Sequence, residues 1–214
     1  MCGRPHHRRV VNIRRAGTEA LLLEVDAPYA WFAAIAAART RGEIQCAEIV
    51  PGAQTVLIIG IDPGDPGLAA LIDSTAGTLT HPFAIPAEEA VAAPLEIAVR
   101  WDGPDLAEVG AVWDRDPAAV MRETIFTVAF GGFAPGFAYL TGLAEKWHLP
   151  RRPTPRPSVP AGSVAVAGAY AGIYPRATPG GWQLLGSTDA PLFDVERQPP
   201  ALLVPGMTVR MIDA

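Results

Sequence analysis

Cysteine is nearly absent from this sequence. Only Cys2 and Cys46 occur, far apart and outside any C-x-x-C spacing, which excludes a disulfide framework and leaves a metal site without support. A reducing, cytoplasmic compartment fits that usage. Charge is scarce too: 18% of the 214 residues, with a formal net charge of −5 whose acid excess is spread over both halves. Bulk charge therefore argues against nucleic-acid binding. The apolar run from Trp31 to Ala38 is less than half of the roughly 20 residues that span a bilayer, and no apolar stretch follows the N-terminal arginines as in a secretory leader. There is no G-x-x-x-x-G-K-[ST] phosphate loop, no G-x-S-x-G elbow and no metal-ligand spacing among His6, His7, His81 and His148. What remains is a chain that is 50% hydrophobic, enough for one substantial core or two modest ones.

The apolar pattern divides the chain in two. Ile13, the turn at Ala16-Gly17 and the run from Ala20 to Val25 predict an opening hairpin; Asp26 and Pro28 then predict a helix start, followed by Trp31, Phe32, Ile35 and Ala36 at helical spacing. Residues 44–50 and 55–61 predict strands around Pro51-Gly52, and Leu68, Leu71 and Ile72 predict a second helix. Strands with two helices on one face make a small ferredoxin-like α/β sandwich the economical expectation. Residues 84–94, rich in proline and alanine with no sustained period, read as a linker with a boundary near Ala92, giving domains of residues 1–92 and 93–214. Beyond it, Leu95, Ile97, Val99 and Trp101 alternate as a strand. Two short helices follow, the second opened by Asp116-Pro117. Short runs broken by Gly and Pro come next, around residues 126–130, 164–166, 182–185, 202–204 and 209–211, and predict a β-barrel or sandwich.

Four features can carry chemistry. The run Gly131 to Leu140 contains Phe133, Pro135, Gly136, Phe137 and Tyr139; it reads either as aromatics plugging a barrel end or as a wall offering ring faces and backbone N–H groups to a planar ligand. Arg151, Arg152 and Arg156 lie among four prolines, either as a solvated linker or as a stiffened anion site or partner contact, with Arg151 and Arg156 the candidates to grip a carboxylate or phosphate. The turns at Gly162-Ser163 and Gly180-Gly181, near Tyr174 and Trp182, either cradle an oxyanion or turn barrel corners. Asp102 is either a general base or substrate anchor, or a helix N-cap, and Asp189 and Asp194 carry the same ambiguity. At the N-terminus Arg4, Arg8, Arg9, Arg14 and Arg15 accompany His6 and His7; a frayed leader or solvated first strand is the reading preferred to a phosphate or membrane site.

The runs "GFAPGFAYLTGL", "LPRRPTPRPSVPAGSVAVAGAYAGIYPRATPGGWQLLGST", "LFD" and "LLVPGMTVRMI" resemble the family that comprises the B component of 5-oxoprolinase, the KipI kinase inhibitor and the protein once called allophanate hydrolase subunit 1. The resemblance covers residues 95–212 and, more loosely, residues 17–73. It implies an α+β chain with a ferredoxin-like N-terminal domain and a cyclophilin-like C-terminal β-barrel. It also implies membership of an ATP-dependent complex that opens the 5-oxoproline lactam to glutamate. The partners it implies are a carboxyltransferase-related C component, of the KipA or allophanate hydrolase subunit 2 type, and a third protein, the A component. A regulator that binds a sensor histidine kinase is the alternative it carries. Two places depart from the family pattern: Gly186-Ser187-Thr188 stands where Gly-Arg-Thr is common, and Arg122-Glu123-Thr124 lacks a histidine.

Overall fold

Strand alternation builds the first half of the molecule. A computed structural model describes residues 11–78 and 93–214; Arg4, His6, His7, Arg8, Arg9, His81 and the boundary near Ala92 lie outside the described residues, whereas Arg14 and Arg15 are exposed in the first strand. The chain divides into two units, residues 1–90 and 91–214. In β2 (Ala20–Glu24) Leu21 and Leu23 are buried, as are Val56 and Ile58 in β4 (Thr55–Ile59), because successive strand side chains face opposite sides of a sheet. β1 (Asn12–Arg15) pairs antiparallel with β2, and β3 (Glu48–Pro51) with β4, while β2 and β4 pair in the middle, giving the order β1-β2-β4-β3. Helices α1 (Pro28–Thr40) and α2 (Pro66–Thr78) supply Trp31, Ile35, Leu68 and Ile72 to the same core. Asp26 is not the cap of α1. Ala27 takes that position with no side-chain bond, and the start rests on Pro28, whose fixed φ suits a first helical turn.

The second unit is dominated by one sheet. Its strands are β5 (Leu95–Val99), β6 (Ile125–Gly131), β7 (Ala138–Thr141), β9 (Ser163–Ala167), β10 (Tyr170–Ile173), β12 (Gln183–Ser187) and β13 (Thr208–Asp213), and a separate ribbon pairs β8 (Arg156–Val159) with β11 (Thr178–Gly180). The spatial order is β12-β9-β10-β7-β6-β13-β5, with β13 and β5 parallel and the other pairs antiparallel. The two ends of that order meet. Arg100 and Ser187 exchange backbone N–H···O bonds of 2.8 Å each, Gly103 N–H donates to the Leu185 carbonyl at 3.2 Å, and Asp105 N–H to the Leu184 carbonyl at 3.1 Å. The result is a nearly closed β-barrel.

Its interior holds Val99, Phe126, Val128, Leu140, Leu185 and Met211, and α3 (Leu106–Trp113) and α4 (Pro117–Glu123) add Val109, Trp113, Val120 and Met121 to it. As its cap chemistry predicts, α4 opens with the Asp116 carboxylate accepting from the Ala118 and Ala119 amides at 3.0 and 3.2 Å. Every residue of β9 is buried. Val164 and Val166 belong to the barrel core, whereas Ala165 and Ala167 join Phe137, Val159, Tyr174, Trp182 and Leu184 in a second cluster. The run 202–204 forms no strand; only Ala201 makes an isolated bridge there, to Phe193. Among the described residues no helix is long and apolar enough to cross a membrane.

Candidate functional site

A pocket of ≈ 300 Å³ opens beside the seam that closes the barrel, lined by Asp102, Pro104, Arg156, Ala161, Ser163 and Ser187 among others. Each wall follows from local chemistry. Gly103 runs so close to β12 that an added Cβ would collide with the backbone of Leu184 and Leu185, so only glycine lets the chain cross there. Gly162 turns at φ +79 against the Thr188 carbonyl, and its N–H donates to the Tyr174 carbonyl at 2.7 Å. That amide is thereby committed to the fold and is no free donor. Ser163 is buried, its Oγ donating to the Pro160 carbonyl at 2.8 Å.

Asp102 is exposed, and its Oδ2 accepts from Ser187 Oγ at 3.0 Å. It does not cap α3. Asp105 holds that position, without a side-chain cap bond. Asp189 forms a two-pronged pair with Arg100 at 2.7 and 3.0 Å, which draws its carboxyl below the usual range and raises the guanidinium. Asp194 accepts from the Glu196 amide at 3.0 Å and so shapes a turn.

The arginine segment is ordered into the site. Arg156 opens β8; its Nη2 donates to Asp105 Oδ1 at 2.6 Å and its Nη1 to the Trp182 carbonyl at 3.3 Å. Arg152 Nη1 reaches the same Asp105 oxygen at 2.8 Å, and also Glu108 and Gln183 at 3.3 Å each. Arg151 is exposed and carries no hydrogen bond or ion pair among the described residues; its charge, like that of Arg156, acts on the Tyr174 phenol. Burial pushes that phenol upward, against the two arginines and a backbone bond from Trp182 that pull it down.

The aromatic residues separate into two groups. Phe137, Tyr174 and Trp182 are buried, with Phe137 edge-to-face against both others at centroid distances of 5.4 and 5.5 Å, so they pack as a small core beside the β8–β11 ribbon. Gly180 of that ribbon lies against the Tyr174 ring, and the neighbouring Gly181 carbonyl accepts from the Arg152 amide at 2.7 Å. Tyr139 is half-buried and stacks on Phe130 at 4.4 Å. Phe133 is 58% exposed at φ 65. The Ala134 amide donates back to the Gly132 carbonyl at 2.7 Å, a γ-turn of the strained hand. The same loop carries Pro135 and Gly136, the latter packed against Leu192 and Phe193.

Of the residues singled out from sequence, the structure brings Asp102, Arg156 and Ser163 to the pocket wall, with Gly162 next to it. Tyr174, Trp182 and Gly180 are reached through Arg156 and the ribbon. Asp105 and Ser187 were missed. A Gly-Pro-Asp run before a helix signals only a cap, and the partners of Asp105 stand 47, 51 and 79 residues away. Among the described residues, no group of His, Cys, Asp and Glu could hold a metal ion.

Comparison with known proteins agrees with this architecture. The 5-oxoprolinase B component of Haemophilus influenzae is 49% identical over 113 residues, which are 51% of this chain and 53% of that protein; the match thus spans about half the length of the curated relative. The crystal structure of TTHA0988 superposes at a TM-score of 0.67 with 32% identity, over 95% of this chain and 40% of the other. The Kluyveromyces lactis urea carboxylase shares the fold at a TM-score of 0.62 and 20% identity, over 95% of this chain and 22% of that one. The family model described as carboxyltransferase domain, subdomain C and D, matches residues 11–203. With that match running through both units, the chain belongs to the carboxyltransferase domain family, subdomain C and D.

Proposed function

We propose that this chain is a non-autonomous subunit of an ATP-dependent 5-oxoprolinase, opening the 5-oxoproline lactam to glutamate in the cytoplasm together with proteins like the C and A components of that enzyme. The observation that carries the reading is 49% identity to a 5-oxoprolinase B component in a chain with a small pocket bearing both a guanidinium and a carboxylate. Arg156, with the unpaired Arg151 nearby, would take the substrate carboxylate; Asp102 would accept the lactam N–H or act as base. Phe133 and Tyr139 would flank the entrance, with Pro135 and Gly136 shaping the loop, and Phe137, Tyr174, Trp182, Gly162, Ser163, Gly180 and Gly181 would support the wall. A lactam amide is stabilised by resonance. Phosphoryl transfer from ATP to its oxygen, with ADP leaving, makes the ring carbon electrophilic; water adds there, the ring C–N bond breaks with a proton passing to nitrogen, and a second water hydrolyses the resulting acyl phosphate to the carboxylate and phosphate. ATP is assigned to the complex, not to a site on this chain.

We assign residues 1–92 and 93–214 as the two domains. The order β1-β2-β4-β3, in which β2 and β3 flank β4 and are joined through α1, supports a ferredoxin-like sandwich whose first strand occupies the place usually taken by the last. The nearly closed seven-stranded sheet supports the cyclophilin-like reading of the second domain. The test is reconstitution from three purified proteins, measuring ATP-dependent glutamate formation with each omitted in turn. Full activity without this chain would overturn the proposal.

A further inference from the structure

Asp105 is the most buried carboxylate at the site, with a side chain 4% exposed, and it is asked to do three things at once. Its Oδ2 accepts the Leu184 amide at 2.7 Å, which fixes the carboxylate to the barrel seam. Its Oδ1 accepts from both Arg152 and Arg156, at 2.8 and 2.6 Å. The two arginines are not equivalent. Arg152 has further acceptors in Glu108 and Gln183, whereas the other hydrogen bond of Arg156 goes to a backbone carbonyl, that of Trp182. Only Arg156 of the two lines the pocket.

Arg152 and Arg156 meet the two carboxylates of Asp105 and Glu108, and Glu108 pairs with Arg152 alone, so the pocket, with Asp102 on its wall, receives a guanidinium held by one carboxylate and one carbonyl. A guanidinium has five N–H donors in a planar fork, and two are used here. The remaining donors are oriented without further loss of side-chain freedom when an anion arrives.

We propose that Asp105 is a positioning residue: from its fixed place on the seam it orients Arg156, so that the free donors of the guanidinium grip the carboxylate of the substrate in the pocket. This rests on the 5-oxoprolinase reading for the identity of the substrate, but not for the geometry. Asp105 touches no substrate itself. Its effect is on binding, through Arg156, and not on the bond-breaking step.

Two readouts test this on the full chain and on the reconstituted complex. The first is the reaction of Arg156 with phenylglyoxal, an arginine-selective reagent, followed by peptide mass spectrometry. Asp105→Asn should raise the modification rate of Arg156 at least severalfold, while Arg152→Gln, which leaves the Asp105–Arg156 pair in place, should not. The second is kinetic. Asp105→Asn should raise the KM for 5-oxoproline about tenfold with kcat within about twofold, and combining it with Arg156→Lys should add little to the effect of Arg156→Lys alone, as expected of residues acting as a unit. Should Asp105→Asn fail to fold, Asp105→Glu keeps the charge, displaces the guanidinium, and should move both readouts in the same direction. Equal Arg156 reactivity in folded variant and wild type overturns the positioning role. So does a variant whose KM is unchanged, or one whose defects add to those of Arg156→Lys. If the wild-type complex does not turn over 5-oxoproline, the substrate reading falls, and the positioning of Arg156 is decided by the modification rates alone.

Discussion

At the scale of single residues, the chemistry of the site is set by burial more than by residue type. Three arginines in one short segment meet two different fates: Arg152 and Arg156 are tied to the same buried carboxylate, and Arg151 stays in solvent. Tyr174 shows the same principle with a phenol. Burial disfavours its ionised form and raises its titration point in the folded state. The folded protein therefore holds that proton more tightly than the unfolded chain, so the stabilisation is complete below the ordinary tyrosine range near pH ~10 and is lost as pH rises through the folded value. Thermal melting followed from pH 8 to 11 should show a steep alkaline decline that is shallower in Tyr174→Phe. At pH 7 the variant should be less stable by about 1 kcal/mol, the typical worth of the hydrogen bond lost with Trp182. Identical alkaline slopes in the two proteins would contradict this account. Tyr170, also shifted upward by burial, supplies a residual slope in both.

At the scale of elements, what was legible in the sequence is what depends on near neighbours. The start of α4 is written in Asp116-Pro117, because a cap bonds amides two and three residues on. Alternation in residues 95–99 and 125–131 likewise announces β5 and β6, since a strand with one buried face needs no information beyond itself. The ribbon of β8 and β11 was hidden. Prolines at 155 and 157 suggest an unpaired extended linker, yet Arg156–Val159 lies in a two-stranded sheet with no third strand, where missing N–H groups are tolerated. The aromatic residues show the limit most clearly. Sequence offers Phe133 and Phe137 as equals, and only packing separates a ring that is 58% exposed from one that is 3% exposed. The seam glycines give a direct test of element-level crowding. Gly103→Ala and Gly186→Ala would each drive a Cβ into the facing strand's backbone and should cost about 1 to 3 kcal/mol or more, as overpacking does. Gly168→Ala meets nothing within 4 Å and faces only its φ of +56, so urea midpoints should rank it clearly above the other two. Equal midpoints would mean that the strands can separate at no cost.

At the scale of the whole chain, each unit owns a hydrophobic cluster: Leu23, Ile35, Val56 and Ile58 in the first, and Val99, Phe126, Leu140 and Met211 in the second. The barrel's closure has a consequence for how that second unit comes to exist. Its seam joins the first and last strands of the spatial order, β5 and β12, which cannot meet until β9, β10, β7, β6 and β13 stand between them in register. Contacts that depend on so many prior pairings carry the loop-closure entropy of the rest and form late. During refolding the chain should therefore pass through a curled but open sheet, with the amides of Arg100, Gly103 and Ser187 still exchanging while those of β6 and β7 are already protected. Pulsed hydrogen exchange would read that order residue by residue, and early protection at Ser187 would refute it. While the sheet is open, two raw strand edges face solvent, each a template for a second chain. Yield on refolding should then fall with protein concentration, and the seam glycine variants, which delay closure, should aggregate first.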